Sequence, residues 1–134
     1  MSKWSRGFAM AALAALIGML AIATTSSAHK RLFNTTATIT LAKATASGQI
    51  GGSGACRANR TVILFEDKDP NVIGDTAEIG RTTSTATGAW SIPAQGSIKA
   101  GRVYNVLAKK KLVLKNSKHK HVCKSALSEN VTGT

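Results

Sequence analysis

The sequence predicts an all-β protein: one antiparallel β-sandwich of about seven strands behind an N-terminal signal peptide. Three observations carry this expectation. Beyond residue 28 nothing has the 3.6-residue period of a long amphipathic helix. Short runs rich in Thr, Val and Ile recur instead, about ten residues apart, separated by Gly, Pro, Asn and Ser. With 134 residues and 13.9 kDa the length suits one domain rather than two. Parallel pairing would need longer crossovers than these spacings leave.

The leader comes first. Lys3 and Arg6 make a basic start, residues 8–23 (FAMAALAALIGMLAIA) are apolar apart from Gly18, and Ser26 and Ala28 are the small residues expected at −3 and −1. At about 1.5 Å per residue this run is shorter than the ~30 Å hydrocarbon core, which favours cleavage between Ala28 and His29 over a retained anchor. The expected division is therefore residues 1–28, a signal peptide, and residues 29–134, the sandwich domain, with no transmembrane segment in the mature chain. The Ala-rich stretch is of a bacterial kind, which makes the sequons at Asn34, Asn59 and Asn130 incidental; in a eukaryotic secretory pathway they would be glycosylation candidates.

The strands follow in order. Thr35–Leu41 alternates, with Ala37, Ile39 and Leu41 on one face. Ala44–Ile50 is a weaker strand, and Gly51–Gly54 a turn. Asn59–Glu66 (NRTVILFE) is the strongest apolar run, short and β-branched as a core strand should be. Asp67 opens a polar loop to Gly74. Thr76–Thr83 is centred on Ile79. Thr87–Gly88 turns the chain into Ala89–Ile92, where Trp90 and Ile92 share a face. Arg102–Lys109 sets Tyr104, Val106 and Ala108 against Val103, Asn105 and Leu107. Residues 110–121 mix an LVL run with basic residues, and Val122–Val131 closes with two short extended pieces around Ser125. Phe65, Trp90, Ile92 and Tyr104 are expected in or near the core.

The succession Ala55–Cys56, Arg60–Leu64, Ile79–Gly80 with Thr82–Thr83, Thr87–Ile92, Gly101–Tyr104, Cys123 and Ser125 resembles the carboxypeptidase-regulatory-like, transthyretin-like (prealbumin-like) sandwich modules of secreted bacterial proteins. The similarity runs over residues 45–132, and its most specific tract is T-x-x-G-x-W at Thr85–Trp90 followed by G-x-x-Y at Gly101–Tyr104. It implies an Ig-like or transthyretin-like arrangement and a non-catalytic extracellular module, with no catalytic residues to carry over.

Two cysteines exclude a disulfide-dense mini-protein and a four-thiolate metal site. An exported chain oxidises such a pair, so Cys56 and Cys123 are expected to form one structural disulfide; no C-x-x-C spacing supports a reactive pair. Closing so long a loop is worth roughly 4 kcal/mol in chain-entropy terms. Six acids and three histidines leave little material for acid–base catalysis, so no enzyme is expected.

Charge is the most pronounced compositional feature. Lys plus Arg reach 18 against 6 acids, a formal +12. No acid lies between Gly80 and Ser128, whereas Lys109, Lys110, Lys111, Lys115, Lys118, Lys120 and Lys124 crowd the later part of that span. Mutual repulsion favours a solvated loop or hairpin tip, and the field attracts polyanions: an anionic cell-wall polymer, an acidic polysaccharide, lipid headgroups or another extracellular polyanion. A basic surface serving only solubility is the competing reading. Nucleic acid is the least supported partner, because Phe33, Phe65, Trp90 and Tyr104 are the only aromatics past the leader and most read as core.

Three sharper readings carry less. Cleavage before His29 would expose a terminal amine and imidazole that, with His119 or His121, could chelate copper; an incidental residue in a floppy terminus explains His29 as well. Asp67, Asp69, Asn71, Asp75 and Glu78 fall at offsets 1, 3, 5, 9 and 12 of a calcium loop, but Val72 stands where the turn wants Gly. Gly51–Ala55 nearly spells a nucleophile elbow without its setting. The expected function is thus a secreted or cell-surface structural or binding module, extracellular or periplasmic, that adheres to polyanions through a Lys-rich edge; the alternative is a secreted copper-binding protein.

Overall fold

The computed structural model describes residues 29–69, 71 and 76–134. The signal-peptide expectation falls outside these residues, as does part of the acidic loop, Asp75 included. The described chain is mostly strand: β1 (His29–Phe33), β2 (Thr36–Ala37), β3 (Thr40–Ala42), β4 (Thr45–Gly51), the short helix α1 (Gly54–Arg57), β5 (Thr61–Asp67), β6 (Thr76–Thr83), β7 (Ala89–Pro93), β8 (Val103–Ala108), β9 (Lys111–Lys115), β10 (His119–Cys123), β11 (Ala126–Leu127) and β12 (Val131–Thr132).

Two antiparallel sheets share one core. In the first the order is β11-β8-β5-β6, with β12 on the same edge of β8 as β11; in the second β4 lies between β7 and the β2/β3 edge. The alternation legible in the sequence explains which side chains point inward. Val62 and Leu64 from β5, Tyr104, Val106 and Ala108 from β8, and Ala46, Ile50, Trp90 and Ile92 from the second sheet are all buried in one cluster, with Ala37, Ile39, Leu41 and Ile79 packed against it. Gly48 is forced by the backbone of Thr38, whose carbonyl a Cβ there would strike, and by Trp90, whose Cζ2 would lie 2.8 Å away. Tyr104 keeps its hydroxyl satisfied although buried, accepting from Lys99 N at 2.7 Å and donating to Ser97 O at 3.1 Å.

Several expectations need correction. The Thr35–Leu41 strand is two pieces, β2 and β3, in a single continuous register against β4; between them Thr38 Oγ1 takes over as acceptor from Gln49 N at 3.0 Å. Ala44–Ile50, the weak strand on composition, is central because both of its edges are paired. Gly51–Gly54 leads into α1 rather than closing as a simple turn. Phe65 is half-buried outside the core cluster, because Val62 and Leu64 already claim the inward positions of β5. The stretch from His29 is a strand, and it pairs in parallel with β10. The crossover limit does not apply, since nearly the whole domain separates these partners in sequence.

Candidate functional site

The Lys-rich tract folds as a third sheet, ordered β1-β10-β9. KLVLK and HKHVC pair as an antiparallel hairpin whose tip is held by Asn116, its Oδ1 accepting from Lys118 N at 2.9 Å and His119 N at 2.7 Å. β1 then lies along β10 in strict register from His29↔His119 to Phe33↔Cys123.

Register sorts the side chains. Lys30, Lys120 and Lys115 are lateral neighbours, as are Leu32, Val122 and Leu112. Lys30, Leu32, Lys110, Leu112, Lys120 and Val122 line a shallow groove of about 230 Å³ on this face. The opposite face carries His29, Arg31, Phe33, His119, His121 and Leu114. There the His29 and His119 rings stand 6.2 Å apart, His119 and His121 5.9 Å, Phe33 and His121 5.7 Å, and the Arg31 guanidinium sits 5.0 Å from the Phe33 ring centre. A register shift between His121 and Val122 places the extra residue, Val113, on β9.

The seven lysines singled out in the sequence are not equivalent. Lys110, Lys115 and Lys120 extend from the groove face, and Lys118 occupies the hairpin tip. Lys109 and Lys124 are exposed, but each also gives its main-chain carbonyl to Arg60. Lys111 is engaged: its ammonium donates to Ala58 O at 2.6 Å and Ala55 O at 3.2 Å, tying β9 to α1.

Two devices fasten the sheet to the core. One is the expected disulfide: Cys56 in α1 and Cys123 at the end of β10 are bonded, with Cα atoms 5.5 Å apart and both residues fully buried. The bond is compatible with an oxidising destination. The other is Arg60, which the sequence reading missed. Its side chain is fully buried and, among the described residues, meets no carboxylate. Nε donates to Lys109 O at 2.9 Å, Nη2 to Lys109 O at 2.7 Å and Lys124 O at 2.8 Å, and Nη1 to Cys56 O at 2.6 Å and Thr35 Oγ1 at 3.2 Å. Burial draws its pKa below the ordinary arginine value, yet the guanidinium stays charged at neutral pH, so each contact is charge-assisted. Its only outward signal is a basic residue opening an apolar run, which the solvated start of a strand would show equally.

Charge is distributed along the molecule. Among the described acids, Glu66, Asp67 and Asp69 lie at the far end of β5 from Arg60, Glu78 lies in β6 and Glu129 lies between β11 and β12. Two of them are matched locally: Arg102 Nε is 3.7 Å from Glu66 Oε1, and Arg81 holds Glu78 at 2.9 Å. The hydrogen bond from Arg81 draws the Glu78 carboxyl below its ordinary value, and the pair raises Arg81 in turn. No acid occurs in β1, β9, β10 or the hairpin tip.

The metal candidates His29, His119 and His121 do share a face. Among the described residues, however, no group of three or more His, Cys, Asp or Glu side chains is placed to hold one ion. No helix among the described residues is long and apolar enough to cross a membrane. Comparison with protein-family models, with curated proteins and with solved structures returned no match.

Proposed function

We propose that this protein is an exported, non-enzymatic β-sandwich module, transthyretin-like in arrangement, that adheres to extracellular or cell-surface polyanions through its third sheet. One observation carries the reading. Lys30, Lys110, Lys115 and Lys120 converge on one sheet face whose strands contain no carboxylate, whereas two arginines of the sandwich, Arg102 and Arg81, have acid partners. Uncompensated like charges gathered on a rigid sheet cost stability through repulsion and are relieved when a polyanion supplies the countercharge. The disulfide and Arg60 hold that array in place without the flexibility a lysine-rich loop would have, which lowers the ordering cost of binding.

Retention on a heparin column tests the proposal. The unaltered protein elutes at a salt concentration well above that of a Lys110→Ser/Lys115→Ser/Lys120→Ser variant of equal thermal stability. Coincident elution of the two would refute it.

A further inference from the structure

The sheet that carries the lysines also carries exposed oil. Leu32 and Leu112 are each 49% exposed, Leu114 40% and Val113 37%; of the large exposed apolar side chains among the described residues only Leu127 lies elsewhere. Leu32 and Leu112 flank buried Val122 in the groove that Lys30, Lys110 and Lys120 border. A soluble acidic polymer answers the ammonium groups and leaves these leucines in water. A second copy of the chain would cover the leucines but bring one lysine array against another. An anionic lipid surface answers both, with headgroup phosphates for the lysines and the acyl boundary for the leucines. We propose that the Lys30/Leu32/Lys110/Leu112/Lys120 face docks on an anionic bilayer surface. This deepens the polyanion reading and rests on it.

The energetics suit a reversible, peripheral contact. Each lysine near an anionic leaflet raises partition about fivefold, and the effect fades with salt over a Debye length. The leucines add a salt-independent component through apolar burial. The strands present this mixture flat, since paired residues of neighbouring strands lie side by side on one face.

The test is co-sedimentation with vesicles of phosphatidylcholine alone and of phosphatidylcholine with 30% phosphatidylglycerol (a composition of order one third anionic, chosen to give about the surface potential of an anionic leaflet). The protein is the exported form, its N terminus read by intact mass. Binding is expected to the anionic vesicles and not to the neutral ones. Leu32→Ser/Leu112→Ser should lower partition about tenfold while leaving heparin retention unchanged, and Leu127→Ser should alter neither. If the double variant fails to fold, Leu112→Asn alone supplies the same comparison. Heparin retention without vesicle binding, or vesicle binding indifferent to the leucines, overturns the lipid inference and leaves the polyanion reading standing. Loss of heparin retention in the unaltered protein overturns both.

Discussion

Arg60 shows how one side chain can hold a small domain together. A fully buried guanidinium is costly to desolvate, and here the return is five hydrogen bonds to acceptors on four separate segments, at Thr35, Cys56, Lys109 and Lys124. Ser84 completes the knot, its hydroxyl accepting from Arg60 N at 2.9 Å and donating to Arg57 O at 2.6 Å. Replacing Arg60 with Met strands one buried carbonyl, at Cys56, and two partly buried ones, at Lys109 and Lys124, so urea unfolding should show a loss of about 3 kcal/mol. Arg60→Lys should fall between, because one ammonium cannot reach acceptors spread across that fork. A loss under about 1 kcal/mol for Arg60→Met would show that water replaces the guanidinium without penalty. Nothing in the local sequence distinguishes this arginine from a solvated one; its partners lie up to 64 residues away.

At the scale of elements, legibility followed the range of the pairing. β6 occupies the residues expected of it, and β5, β7 and β8 do so to within two residues at either end, because their alternation and turn residues are local signals. β1 was hidden. HKRLF is mostly polar, it opens the described chain, and it becomes a strand only because β10 offers a parallel edge. The division of the lysines between faces was hidden as well, since the extra residue at Val113 resets the alternation of β9. The disulfide was legible as a pairing, with two cysteines and one way to join them, but not as the anchor of a separate sheet. Its role there is testable. Cys56→Ala/Cys123→Ala should cost up to about 4 kcal/mol, with amide exchange rising more in β1 and β10 than in β5. Equal loosening of all strands would mean that the bond stabilises the domain without specifically anchoring the third sheet.

Across the whole molecule the charges are polarised. Glu66, Asp67 and Asp69 lie toward the end of β5 remote from Arg60, whereas Lys30, Lys110, Lys115 and Lys120 gather on the sheet beyond its beginning, whose strands contain no acid. The net charge of +12 made a basic partner-seeking surface visible in the sequence; only folding brings Lys30, at the start of the described chain, beside Lys120 near its end. Binding is therefore expected to follow this one face rather than total charge. The decisive measurement is the affinity for a size-defined heparin oligosaccharide across a salt series. Replacing Lys110, Lys115 and Lys120 with Ser should reduce the slope of log K against log salt by two to three, close to one per lost anionic contact. Removing the same number of positive charges elsewhere, at Lys43, Arg57 and Lys99, should leave the slope nearly unchanged. Equal reductions from the two triple variants would contradict a defined binding face and reduce the basic sheet to bulk charge.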